Sequence, residues 1–368
     1  MKLSELEKIN LNIFNGTNEF FISKFNKNSN VSTFLANQMS EVDVDLFIFS
    51  EIKGSLDIEG DGSSRKIITD LIKGKRKPQS TNERKALNLY NAYNFILSTK
   101  PSFTKQNLMT IYSILTTDID LGENSLESNS EYRQSKEDGF IGEFKTPLVE
   151  NLNIGMNQLF EFINSDLLEN QVLEKALLIQ IIFIFFHPFY DFNGRSGRLL
   201  TFWYLVNNNQ EHLAKVSLLS LPANKKEYIK IWVSFRKTNN YDLTFFMNWL
   251  GHLTIYSARK ILDIINDSKK NGISLSETEI LILFYLLDIE DYILANDLMA
   301  KIDLGITKQG FFNAIESLSN KNLIYKKISA NKIQVKSKKS VLPENKLHKE
   351  LYKKFITSSN DHSITFNE

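Results

Sequence analysis

His187-Pro188-Phe189-Tyr190-Asp191-Phe192-Asn193-Gly194-Arg195-Ser196-Gly197-Arg198 is a polar stretch set between two apolar ones. Before it, Ala176 to Phe186 is interrupted only by Gln180, and after it Leu199 to Val206 is again largely apolar. The first run falls well short of the roughly 20 residues that span a bilayer, and it suits a helix buried on most sides. Pro188 disfavours helical geometry at His187, so the helix ends there. A loop with a carboxylate, an Asn-Gly pair and two arginines then opens the next helix. So much polarity between two buried helices marks a reactive site.

Each residue of the loop suggests a task. Gly194 lets the backbone turn sharply and lets a ligand come close. Amides at the start of the following helix point outward at its positive end, which favours a phosphate. Arg195 and Arg198 are three apart, share a helix face and can fork onto one polyphosphate. Asp191 is a hard oxygen ligand suited to Mg²⁺, which binds through few carboxylates plus substrate phosphates. Histidine is the side chain whose unperturbed pKa lies close to neutrality, so His187 is the natural general base for a hydroxyl nucleophile. Together they describe magnesium-assisted transfer from a nucleoside triphosphate.

The twelve residues resemble the signature of the Fic family: His-Pro-Phe, any residue, Asp or Glu, Gly, Asn, Gly or Lys, Arg, two of any kind, Arg. One fixed position departs, where Phe192 replaces glycine. The resemblance implies a mainly α fold, a helical bundle with a β-hairpin flap, over residues of about 50 to 260. It implies that His187 deprotonates a Ser, Thr or Tyr hydroxyl while Asp191 holds Mg²⁺ on the α- and β-phosphates of ATP. Asn193, Gly194 and Arg195, with the Phe192 amide and the Ser196-Gly197 turn of helix, form the anion site, and Arg198 takes the γ-phosphate. The product is a protein hydroxyl esterified with AMP. Relatives with lysine in place of Gly194 resemble kinases, so the glycine favours AMP transfer. Some relatives instead remove AMP from modified proteins at the same site.

Upstream, Ser55-Leu56-Asp57-Ile58-Glu59-Gly60 is similar to the inhibitory motif that accompanies many Fic domains: Ser or Thr, three of any kind, Glu, then Gly or Asn. On a helix Ser55 and Glu59 lie on one face, and Gly60 ends it. The resemblance implies that Glu59 pairs with Arg198 and blocks the γ-phosphate. Glu137 to Pro147 carries a hairpin signal, Asp138-Gly139 beside short aromatic pieces. In the family such a flap aligns the protein target by strand addition. Tyr228 stands where relatives place an aromatic near the nucleotide base.

The remainder of the chain is read by pattern. Residues 1–80 look helical with polar interruptions, including a helix-compatible stretch over 35–49, and residues 81–270 form the core. Helices are expected near 81–98, 104–116, 150–165, 171–186, 224–238 and 242–267. Beyond Gly272, Ser276 and Glu279 fit a capping box. Helices near 294–302 and 307–319 and a hairpin around Ser329-Ala330-Asn331 give residues 275–338 the order of a winged helix. Lys308, Gln309 and Asn313 would be exposed on its third helix, which makes DNA a candidate partner. Residues 339–368 read as a polar tail. The basic loop Lys73 to Lys77 is an ordinary solvated turn.

Composition excludes several classes. The 368 residues carry 44 Lys+Arg against 43 Asp+Glu, so no global field points to nucleic acid or an acidic membrane. With no cysteine the chain has no disulfide, thiol nucleophile or zinc-thiolate site, which fits a cytoplasmic protein. The start MKLSELEKINLNIF lacks the apolar core of a signal peptide, and no stretch reaches membrane-spanning length. Homodimers are common in the family, so a second copy of the chain is a further candidate partner. Two readings follow: an autoinhibited adenylyltransferase, or a nucleotide-sensing regulator that binds DNA through residues 275–338.

Overall fold

The structure, a computed structural model, describes residues 8–10, 19–21, 48–121, 132–134, 140–141, 144–145, 149–169, 171–217, 219–221, 224–237, 243–302 and 306–338. The architecture is mainly helical. Its centre is the antiparallel pair α6 (Val172–Phe186) and α7 (Asn193–Asn207), joined by the signature loop. Nearly every side chain of both is buried. Helix α6 carries almost no charge beyond its first turn, so it can be covered on all sides. The two helices come close at Gly197, where a Cβ would stand 2.6 Å from Ile184 Cγ1. That glycine is a packing requirement.

Around this pair stand α1 (Ile48–Glu59), α2 (Arg65–Ile72), α3 (Thr81–Thr99), α4 (Lys105–Thr116), α5 (Val149–Asn164), the single turn α8 (Glu211–Ala214), α9 (Lys225–Lys237) and α10 (Thr244–Lys270). Helices α2, α3 and α4 start at Ser64, Ser80 and Thr104, whose hydroxyls accept from backbone amides three residues on. Aromatic contacts lock the layers, with Tyr93 of α3 edge-on to Phe202 of α7 and Tyr112 of α4 stacked on Phe189 of the loop. Helix α1 ends where Gly60 turns left-handed (φ 83°) and Asp61 N–H donates back to Leu56 O at 3.0 Å.

One expectation for these regions is overturned, and two others lie partly outside the described residues. The amino-terminal region includes an antiparallel pair, β1 (Lys8–Asn10) with β2 (Glu19–Phe21), where helix was expected. Three-residue strands are too short to leave a periodic pattern. Next, the helix that carries the inhibitory motif begins at Ile48, and most of the expected 35–49 helix lies outside the described residues. Finally, the expected 137–147 hairpin is represented by β3 (Phe140–Ile141) paired with β4 (Phe144–Lys145); its other residues lie outside the described ones, as does the 339–368 tail.

The carboxy-terminal part runs α11 (Glu277–Leu286), β5 (Ile293–Leu294), α12 (Ala295–Ile302), α13 (Lys308–Asn320), β6 (Ile324–Ser329) and β7 (Lys332–Ser337), with sheet order β5-β7-β6. The capping box at Ser276 and Glu279 is present, and Glu279 also accepts from Ser317 and Lys321, tying α11 to the end of α13. The β6–β7 turn is Ala330-Asn331, both at positive φ, as a two-residue hairpin requires. Arg65 joins this part to the bundle, donating to Ser50 Oγ on α1 at 2.8 Å and pairing with Glu277 on α11. The buried Lys260 of α10 does the same, reaching Asp288 at 2.8 Å. Among the described residues no helix is long and apolar enough to cross a membrane.

Candidate active site

The loop between α6 and α7 is shaped by its own side chains. His187 caps α6 in the left-handed region (φ 50°), its amide donating to Phe183 O at 3.1 Å, and its side chain is half-buried. Asn193 turns its side chain back on the loop, accepting from Phe189 N–H at 2.9 Å and donating to Phe189 O at 2.7 Å. Its amide group therefore holds the turn closed, which leaves its backbone for a ligand. Arg133, from a stretch the sequence reading passed over, donates through Nε to His187 O at 2.9 Å and through its amide to Pro188 O at 2.8 Å.

Phe192 explains the one departure from the signature. It sits at φ 66° and ψ 9°, the left-handed conformation a glycine enters freely and a β-carbon resists. Its ring is 2% exposed and lies under the Arg195 guanidinium, 3.7 Å from ring centre to Cζ. Its amide donates to Asp191 Oδ1 at 2.6 Å. Strain in the backbone is offset by a buried aromatic face beneath a buried cation.

Both arginines of the signature are buried, and each is held by an acid from the turn that ends α1. Arg198, 1% exposed, donates Nε to Ser55 Oγ at 2.9 Å and Nη2 to Ser55 O at 3.1 Å and Glu59 Oε1 at 2.7 Å. Arg195 gives Nη1 to Asp61 Oδ2 at 2.5 Å and Nη2 to Asp191 Oδ1 at 3.3 Å. Asp61 also accepts from Lys85 Nζ of α3 at 2.8 Å. The Glu59 carboxylate presses on Gly194 so closely that any β-carbon there would collide with Oε1. Burial disfavours charge on Glu59, yet the Arg198 charge and hydrogen bond, with Arg195 and His187 behind them, hold its carboxyl below the usual range. A depressed carboxyl pKa means that the contact is fully formed above the ordinary carboxylate range and is lost only as pH falls through the lowered value.

Ser55 and Glu59 thus meet Arg198 beside Gly194, and Asp191 meets Arg195, with the His187 charge felt at Glu59. Gly60 serves as the turn and Ser196 and Gly197 as the buried start of α7. Tyr228 is buried in an aromatic cluster, stacked on Trp249 and edge-on to Trp232 and Phe246, with its hydroxyl turned toward Gln180. Asp61 and Lys85 had no signal in the sequence, because their partners stand far along the chain.

A divalent metal fits here in one way. Among the described residues no three acids or histidines cluster as a self-sufficient metal site. Asp191 keeps 52% of its side-chain surface open beside Arg195, so a hard cation would be held by this one carboxylate together with substrate phosphates.

Comparisons with known proteins bear on the fold and on the segment that carries the site. Residues 102–205 match the model of the Fic/DOC family. Similar solved structures include a Fic family protein from Desulfovibrio desulfuricans G20, 16% identical, covering 86% of this chain and 98% of its own, at a TM-score of 0.53. A Fic domain containing signaling protein from Bacteroides thetaiotaomicron VPI-5482 is 16% identical, covering 67% of this chain and 98% of its own, at 0.51. A fragment of Fic-1 from C. elegans, 13% identical, covers 66% of this chain and 72% of its own, at 0.52. No curated protein matches the chain. At these identities the structural likeness speaks for the fold, and the family match runs from the start of α4 through the α6–loop–α7 segment that carries the signature. The chain contains a Fic/DOC domain.

Proposed function

We propose that the protein is an autoinhibited protein adenylyltransferase, moving AMP from ATP to a Ser, Thr or Tyr hydroxyl of a target protein or of itself. The observation that carries this reading is the Glu59 carboxylate seated on buried Arg198 and against Gly194. That position is the one a terminal phosphate would need in order to reach the same guanidinium, so acid and triphosphate exclude each other. Removal of Glu59 opens the site.

In the open site the triphosphate lies across the start of α7, where the first amides lack intrahelical acceptors and carry the positive dipole end. Arg195 and Arg198 hold its oxygens, and Gly194 leaves room for them. His187 takes the proton of the target hydroxyl. The hydroxyl oxygen forms a bond to the α-phosphorus, the bond to the bridging oxygen breaks, and pyrophosphate leaves. Mg²⁺, when bound at Asp191, would neutralise charge on the phosphates. Residues 137–147 would align the target by strand addition. We read residues 275–338 as a winged-helix-like unit that presents targets or controls access.

The exposed Lys308, Gln309 and Asn313 on α13, with Lys327 and Lys332 beside the hairpin turn, favour duplex DNA as a second partner. Incubation with labelled ATP and Mg²⁺ separates the readings. Label that appears on Glu59→Gly protein and disappears in Glu59→Gly/His187→Ala supports the transferase; retention of duplex with no label transfer supports the regulator.

A further inference from the structure

We propose a second anion subsite between α3 and α7, built from Arg195 and Lys85 and masked by Asp61, which takes the diphosphate end of a nucleotide or free pyrophosphate; it rests on the nucleotide reading above and extends it. The Asp61 carboxylate bridges the two cations, one oxygen on each, at 2.5 Å to Arg195 Nη1 and 2.8 Å to Lys85 Nζ. Two phosphate oxygens can bridge the same pair in the same way. All three side chains are largely enclosed, 3%, 15% and 15% exposed for Arg195, Lys85 and Asp61, so their charges act with little screening.

Two further observations point to a ligand. Arg195 Nε is buried with no hydrogen-bond partner, so the guanidinium has donor capacity that its acids leave unused. The Phe192 ring forms a floor under both cations, 3.7 Å from Arg195 Cζ and 5.7 Å from Lys85 Nζ, and fixes them over the start of α7. Asp61 follows Glu59 across the left-handed Gly60, around which there is open space. One movement of that turn withdraws both carboxylates and leaves Arg195, Arg198 and Lys85 together for a polyphosphate. Glu59 masks Arg198, and Asp61 masks the other two.

Calorimetric titration of the full chain carrying Glu59→Gly, which frees the place of the terminal phosphate, with inorganic pyrophosphate, a non-hydrolysable ATP analogue and AMP tests this directly, the further substitutions being made in that background. Asp61→Asn should tighten pyrophosphate and the analogue by about tenfold, the scale of one charge-assisted hydrogen bond, and leave AMP within twofold. Adding Lys85→Ala to Asp61→Asn should remove most of that gain. Stronger gain for the analogue than for pyrophosphate assigns the subsite to substrate, and the reverse assigns it to product. Unchanged pyrophosphate and analogue binding in Asp61→Asn, or a gain that Lys85→Ala leaves intact, overturns the proposal. Asp61→Ser repeats the test should the asparagine variant fold poorly. Absence of AMP transfer by Glu59→Gly, with pyrophosphate gain still present in Asp61→Asn, refutes the transferase reading and leaves the subsite standing.

Discussion

Replacing Phe192 by glycine restores the family residue at a backbone conformation suited to it, yet the structure argues that the change destabilises the protein. Relief of the left-handed strain at φ 66° is worth about 1–2 kcal/mol. Against it stands loss of a ring that is 2% exposed, where large-to-small changes of an aromatic cost about 3–5 kcal/mol. The ring also supports the Arg195 guanidinium at 3.7 Å, a contact worth roughly 0.5–2 kcal/mol. Net destabilisation of about 1.5–6 kcal/mol follows from these ranges. Urea unfolding followed by fluorescence of Trp203, Trp232 and Trp249, all buried in the bundle, reads the difference. Phe192→Asn separates the two contributions, because asparagine tolerates the left-handed region and lacks the ring; it should be destabilised as well. A glycine variant as stable as the parent, or more so, would refute the reasoning and show that the ring carries no packing energy.

Other expectations concern the latch and the junction with the carboxy-terminal part. Gly194→Ala places a methyl group where Glu59 Oε1 stands, so it should expel the carboxylate and speed hydrogen–deuterium exchange over residues 56–61. Unchanged exchange there would contradict the contact. Lys260 is buried against α11, and burial pushes its ammonium down to about 8 although Asp288 opposes the shift. Below that pH both folded and unfolded chains carry the proton, and between about 8 and 10.5 the unfolded chain binds more, so stability should rise with pH across that window. The rise should reach up to about 3 kcal/mol relative to Lys260→Met, measured by denaturation at pH 7 and 10.5. A flat difference between the two proteins would remove Lys260 as a titrating group.

Local signals in the sequence located most of the helices and the loop, because helical periodicity, caps and Pro188 act over a few residues. The approach of Glu59 to Arg198 was legible only through a resemblance between motifs 139 residues apart. No comparable pattern existed for Asp61, which finds Arg195 134 residues away, or for Arg133, which braces the His187 carbonyl. Charge pairs across a bundle depend on how helices stack, and that order has no local trace. Phe192 was visible as a departure, but whether its backbone would adapt or keep the glycine conformation depended on the guanidinium above its ring. The β1–β2 pair was missed for the opposite reason, since three residues per strand give alternation no length in which to show.

The central claim is that one carboxylate keeps a nucleotide-transfer site closed. Intact-mass spectrometry of purified Glu59→Gly protein after incubation with ATP and Mg²⁺ tests it most directly. The account predicts an added AMP on the variant, little on the parent protein and none on Glu59→Gly/His187→Ala. A variant that binds ATP no better than the parent and gains no mass would contradict it.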